Sequence, residues 1–184
     1  MKIADIRPHL RPYSIVQRRK TTINHAFASA LAPCDEYDEE RLKRAMAALG
    51  QTDIDNLRCV YCGAAGETWD HLVGLVKDSE LNGYGHQVGN LVPCCRACNS
   101  LKGNRDWREF LRSAIVDEAR REKIELTLGE HLRLFATEVD LSRARAEHPE
   151  EWEQYAETKR QVINLMAQAD RLAGQLRLQV TRSA

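Results

Sequence analysis

The sequence predicts a mostly α-helical protein with one small α+β module near its middle. Seven of the ten glycines fall between residues 59 and 105, which indicates a segment rich in turns. Two Cys-x-x-Cys units frame this segment, and apolar residues recur at helical spacing outside it. We therefore expect an N-terminal helical arm at 1–58, a module at 59–105 and a C-terminal helical region at 106–184.

The composition is that of an ordinary globular chain, with 29% charged and 43% hydrophobic residues and a net charge of zero. No apolar run approaches the roughly 20 residues that span a bilayer, and no signal-peptide core follows the first residues. We expect a cytoplasmic protein with no membrane partner. Zero net charge is atypical of nucleic-acid binders. Residues 1–33 are nevertheless basic, and they either contact phosphates or form a solvated face.

The N-terminal arm opens with two prolines in residues 1–12, which predict an irregular stretch. A short helix is predicted at Thr21–Leu31. A second helix, at Arg41–Leu49, has better end signals, because Asp38 is a suitable N-cap and Gly50 stands where a C-terminal glycine belongs.

In the module, apolar runs around Thr68–Val73 and Leu91–Pro93 predict the two strands of a small hairpin, with helix resuming near Cys98. Beyond the module, two apolar faces recur at helical spacing: Trp107, Phe110, Leu111, Ala114 and Ile115, then Leu128, Leu132, Phe135 and Val139. Pro149 is predicted to begin a last long helix. The apolar stripe of that helix packs either against the chain's own helices or against a second copy of the chain. We prefer the first interpretation.

Cys59, Cys62, Cys95 and Cys98 form two Cys-x-x-Cys units, a spacing that lets each unit direct two thiolates at one ion. Two such units complete a tetrahedral four-sulfur zinc site, which is structural because it leaves no position for water. Cys94 stands next to Cys95 and is an alternative ligand; we choose Cys95 and interpret Cys94 as a small buried residue. Four buried free thiols are the alternative to a metal site.

Between the two units the chain carries Trp69-Asp70-His71 and then Asn90, while Asn99 follows the last cysteine. Adjacent side chains on a strand point to opposite faces, so the carboxylate and the imidazole of Asp70 and His71 are suited to separate tasks. A lone Asp-His pair is more often structural than catalytic, and single asparagines are common in turns and caps. The occurrence of these residues together with both cysteine units, in this order, is what indicates a functional site.

The order Cys59-Val-Tyr-Cys62, Asp70-His71, Gly85-His-Gln-Val-Gly-Asn90 and Cys95-Arg-Ala-Cys98-Asn99 resembles the HNH endonuclease family. The resemblance covers residues 59 to about 105. It implies a ββα-metal core held together by structural zinc and flanked here by N- and C-terminal helices.

By position, the resemblance makes His71 the general base and Asn90 the residue that orders the loop and orients His71. It makes Asp70 and Asn99 the ligands of a catalytic ion. Asparagine stands at position 99 where the family's name has histidine, which favours a hard ion such as Mg²⁺ or Mn²⁺. His86 is either a second active-site imidazole or a loop residue, and we favour the loop.

The implied function is metal-dependent hydrolysis of phosphodiester bonds, with DNA favoured over RNA and with 5′-phosphate and 3′-hydroxyl products. Lys102, Arg96 and Arg105 are candidate phosphate contacts by sequence position alone. Two rival functions are open: a zinc-containing module that binds nucleic acid without cutting, and a nuclease subunit of a larger complex that docks through the C-terminal helices.

Overall fold

The computed structural model of the chain describes residues 2–182, and in this range it is mostly helical with two small antiparallel sheets. The predicted fold class, mostly α with a small strand-containing module, is confirmed at that level. The chain divides into two compact units, residues 27–144 and residues 2–26 together with 145–182. The finer division at 58 and 105 stays a prediction.

The strands of the first unit lie where the apolar runs predicted them. Strand β1 (Thr68–His71) pairs antiparallel with β4 (Leu91–Cys94), and Asp70 lies opposite Val92. The connection between them contains a smaller pair, β2 (Val76–Lys77) and β3 (Glu80–Leu81). Strand β4 ends at Cys94, and the next residue, Cys95, caps helix α3 (Arg96–Lys102). The long strand pair is therefore followed directly by a helix, and the second cysteine unit lies at this junction.

The remaining helices of the described residues are α1 (Ile15–Leu31), α2 (Glu39–Ala48), α4 (Trp107–Ala114), α5 (Glu118–Phe135), α6 (Leu141–Glu147) and α7 (Pro149–Arg182). The end signals of α2 are confirmed, since the Asp38 side chain accepts a hydrogen bond from the Arg41 backbone and Gly50 has a φ of 73°. The start of α7 at Pro149 is also confirmed.

Two N-terminal predictions differ from the structure. Ile3–Leu10 form a 3-10 helix instead of an irregular stretch, since proline tolerates helical φ angles. Helix α1 begins six residues before the predicted start, at Ile15. The Asp170 carboxylate accepts hydrogen bonds from the backbone of Ile15 at 2.7 Å and Val16 at 3.1 Å, which satisfies amides that a helix start leaves open.

The core of unit 27–144 lies between the long strand pair and helices α2, α4 and α5. Its most buried apolar residues are Ala45, Tyr61, Leu72, Val92, Trp107, Phe110, Leu111 and Leu128. The predicted apolar face of α4 is confirmed, with Trp107 and Phe110 each 1% exposed. Of the second predicted stripe, Leu128 is buried, whereas Val139 lies beyond the end of α5.

In the other unit, α7 carries apolar side chains along much of its length. Leu165, Leu172, Leu176, Leu178 and Val180 are each more than half exposed. Within residues 2–182, no helix combines the length and apolarity needed to cross a membrane.

Candidate functional site

The sulfur atoms of Cys59, Cys62, Cys95 and Cys98 come together in one cluster. All four lie within 4.8 Å of one another, and the Cys62 and Cys95 Sγ atoms are 3.7 Å apart. A tetrahedral zinc ion with Zn–S bonds of about 2.3 Å separates its sulfurs by about 3.8 Å. The cluster therefore fits a four-sulfur metal site such as one for structural zinc, as the spacing predicted.

The backbone around each cysteine unit explains why the sulfurs converge. The first unit is a tight turn in which Gly63, at a φ of 80°, donates to the Cys59 carbonyl. Val60 donates to the Pro93 carbonyl at 3.1 Å, which fixes this turn to β4. In the second unit the Cys95 sulfur caps α3 by accepting from the Cys98 backbone at 3.4 Å. Backbone N–H groups directed at sulfur favour the thiolate form that binds metal.

The protonation of two cluster thiols depends on burial. Burial raises the pKa of Cys62 and Cys98, and hydrogen bonds with neighbouring cysteines raise both further. Because a divalent ion binds the deprotonated thiols, its binding would displace these protons.

Cys94 lies beside this cluster and outside the four-sulfur set. It is fully buried, and its sulfur is 3.9 Å from that of Cys59. Hydrogen bonding with Cys94 is the largest effect that lowers the pKa of Cys59, to about 4. Cys95, and not Cys94, therefore belongs to the four-cysteine set that could hold a metal ion, and Cys94 hydrogen-bonds to Cys59 beside it.

Asp70 is buried, with 5% of its surface exposed, and protein donors occupy both of its carboxylate oxygens. The Tyr61 hydroxyl donates to Oδ2 at 2.8 Å, and the Lys102 ammonium donates to Oδ1 at 3.1 Å. Burial raises the pKa of Asp70, while Lys102 and Tyr61 oppose that rise. The carboxylate that was predicted to bind a catalytic ion is thus enclosed by a phenol and an ammonium group.

His71 follows Asp70 on β1 but is only partly buried. Its Nε2 lies 3.1 Å from Nδ1 of His86, and the two rings meet edge to face with centroids 5.1 Å apart. His86 is held there by its backbone, which donates to the Pro33 carbonyl at 2.8 Å. Gly85 lies against that same carbonyl, where a Cβ atom would collide. His86 thus lies in a connecting segment, as favoured from the sequence, and its imidazole contacts that of His71.

Asn90 has the bracing geometry that the resemblance implies. Its side chain is fully buried, accepts from the Val73 backbone at 2.7 Å and donates to the carbonyls of Val73 and Gly85 at 3.0 Å each. These bonds connect the segment after His71 to the segment before His86. Asn90 thereby holds in place the two chain segments that carry the imidazoles.

The other predicted site residues differ in how exposed they are. Asn99 is partly buried at the middle of α3, one residue after Cys98. Lys102 is 2% exposed and also donates to the His71 carbonyl at 2.8 Å, so its ammonium group has no exposed face for the phosphate we assigned to it. Arg96 is exposed beside Glu67. Arg105 is exposed as well, and it contacts the carbonyls of Leu101 and Lys102.

Tyr61 and Lys102 are the residues of this site that sequence reasoning missed in their actual roles. Tyr61 lies inside the first cysteine unit, and the sequence alone predicts no functional role for it.

Comparison of the chain with protein-family models, with curated proteins and with solved structures finds no match.

Proposed function

We propose that the module at 59–105 is a zinc-containing HNH-type endonuclease that hydrolyses phosphodiester bonds, with DNA favoured over RNA. The observation that carries the proposal is the partly buried imidazole pair of His71, at the end of β1, and His86, in the module that also contains the four-sulfur cluster. The order of strand, strand and helix supports it, and so does the bracing of the imidazole segments by Asn90.

His71 acts as the general base in this proposal. An imidazole has a pKa near 6.5, so its neutral form is available to take a proton from water at neutral pH. The hydroxide attacks phosphorus, the bond to the 3′ oxygen breaks, and that oxygen leaves with a proton from solvent. The products carry 5′-phosphate and 3′-hydroxyl ends. Asn90 is a positioning residue, and Arg96 and Arg105 are the exposed cations that contact flanking phosphates.

A catalytic Mg²⁺ or Mn²⁺ on Asp70 and Asn99 belongs to the same proposal but does not fit the carboxylate in its described geometry. Both Asp70 oxygens already accept hydrogen bonds, and the Lys102 ammonium occupies the position where a cation belongs. Binding an ion there requires Lys102 to leave. We therefore assign no step of the reaction to this ion.

A second function, nucleic-acid binding without cutting, is favoured by the same enclosure of Asp70. In that case the Asp70–Lys102 pair is a permanent part of the fold, and the zinc-containing module only presents a binding face. A reducing compartment such as the cytoplasm suits either function, because it keeps the cluster thiols available for metal.

Plasmid nicking separates the two functions. The zinc-loaded protein is incubated with supercoiled plasmid in Mg²⁺ or Mn²⁺ and with EDTA, beside His71→Ala and the matched variant His148→Ala. Nuclease function predicts nicking by the wild type and His148→Ala but not by His71→Ala, at equal zinc content. Equal nicking by all three removes His71 from the mechanism, and absence of nicking by the wild type favours the binding module.

A second copy or a larger complex is the proposed partner of α7, whose exposed leucines lie between Leu165 and Leu178. Light scattering of the full chain beside Leu172→Ser/Leu176→Ser tests this. A dimer that the double variant converts to a monomer supports self-association, and a monomeric wild type removes it.

A further inference from the structure

The most exposed aromatic residues of unit 27–144 border a cleft beside the imidazole pair. The cleft has a volume of about 350 Å³, and its lining includes Tyr37, Trp69 and His86. Tyr37 is 82% exposed and Trp69 is 48% exposed. A cleft lined by apolar and aromatic side chains is typical of a ligand-binding site.

The position of Trp69 relates this cleft to the proposed reaction centre. Trp69 and His71 are two residues apart on β1, so their side chains leave the same face of the strand. Two residues of strand span about 7 Å, which is within the length of one nucleotide. His86 lines the cleft and contacts His71 at 3.1 Å, so the cleft and the imidazole pair are continuous.

The chemistry of the lining selects a neutral ring and disfavours a phosphate. Leu42, Met46, Val88 and Leu91 supply an apolar floor. The carboxylates in the lining are those of Asp35 and Glu36; Asp35 accepts from the Val88 backbone and pairs with Arg41. Carboxylates repel phosphate but accept hydrogen bonds from the N–H groups on the edge of a base.

We propose that this cleft binds an unstacked nucleobase, with Trp69 and Tyr37 as the stacking residues. The occupant is a base of a single-stranded or frayed segment, because a base inside a continuous duplex presents no free face to an aromatic ring. The cleft thereby selects nucleic acid that is open next to the bond at His71. This inference deepens the proposed function but requires only nucleic-acid binding, not cutting.

The test measures binding in the full-length, zinc-loaded His71→Ala background, so that no cutting complicates it. A fluorescently labelled single strand, the same strand as a blunt duplex, and a strand of abasic sites are each titrated at one salt concentration. Loss of stacking on one aromatic residue should weaken single-strand binding by about 5- to 150-fold in Trp69→Ala. Tyr37→Ala should weaken it in the same direction. Trp69→Phe retains most of the affinity, because a phenyl ring still stacks.

Trp69 also provides a direct optical signal. Trp107 is buried and Trp152 is partly buried beneath Arg145, so quenching of tryptophan emission by the single strand should disappear in Trp69→Phe although binding persists. Val116→Ala, which removes a 96% exposed apolar side chain after α4, is the matched control and should bind like the parent.

Two results overturn the inference: single-strand affinity unchanged in Trp69→Ala, or equal affinity for the abasic strand and the strand with bases. Failure to detect binding of the single strand overturns it as well. Loss of affinity in Trp69→Ala together with absent plasmid nicking by the wild type supports the cleft and rejects the nuclease, so the two failures are distinguishable.

Discussion

The Asp70–Lys102 pair offers the sharpest test of how the site is built, through Lys102→Met. Methionine keeps the apolar stem of the lysine and removes the ammonium group, which donates to Asp70 at 3.1 Å and to the His71 carbonyl at 2.8 Å. The two side chains are 1% and 6% exposed, so water does not replace the lost donor. Removing one partner of a buried ion pair costs about 3–5 kcal/mol of the free energy of unfolding.

The pH dependence of that loss follows from the pKa of Asp70, which burial raises and Lys102 opposes. Without Lys102 the pKa rises further. A carboxyl group with a raised pKa in the folded state binds more protons there than in the unfolded chain, so stability falls as pH rises through the interval between the two values. The loss in Lys102→Met should therefore be largest at neutral pH and shrink as the pH is lowered towards the acid range.

The assay is urea unfolding in zinc-containing buffer at neutral and at mildly acidic pH. Lys77→Met, at an exposed lysine on β2, is the matched control and should change the free energy of unfolding by no more than about 0.5 kcal/mol. The double variant Asp70→Asn/Lys102→Met should recover part of the loss, because it removes the unpaired charge. A loss below about 1 kcal/mol in Lys102→Met, or the same loss at both pH values, would contradict a stabilising role of the buried Asp70–Lys102 pair.

Three further outcomes are expected. Cys95→Ala should leave less than one zinc per chain by elemental analysis, whereas Cys94→Ala should keep the full amount; equal metal content in both would contradict the ligand choice. Asn90→Ala should cost about 3 kcal/mol in urea unfolding, since three hydrogen bonds of about 1 kcal/mol each are lost, and a change under about 1 kcal/mol would count against its bracing role. Asp170→Ala should lower the melting temperature more at pH 7 than at pH 3. Hydrogen bonds from Ile15 and its neighbours lower the pKa of Asp170, and the stability that these bonds supply is lost when the carboxylate is protonated. Equal effects at both pH values would show that the Asp170 carboxylate does not stabilise the start of α1.

Elements with local signals were predictable from the sequence. The cap at Asp38, the glycine at 50 and the proline at 149 each act within one helical turn, so their chemistry is visible in a short window. The cysteine cluster was predictable for a related reason: each Cys-x-x-Cys unit specifies its own local turn, and a tetrahedral ion needs two of them.

Features that depend on distant partners were not predictable in this way. Helix α1 starts at Ile15 because of a carboxylate 155 residues further along the chain. His86 reaches His71 because Gly85 permits close approach to the Pro33 carbonyl. Lys102 is a candidate phosphate contact by sequence position alone, and only the fold places it against a buried carboxylate 32 residues away.

We propose that the four sulfurs hold one metal ion and thereby fix the position of the imidazole pair. Zinc-edge X-ray absorption of the purified chain measures this coordination directly. We expect one zinc per chain with four sulfur neighbours at about 2.3 Å. A zinc shell that contains nitrogen or oxygen in place of sulfur, or a folded chain that binds no zinc, would contradict it.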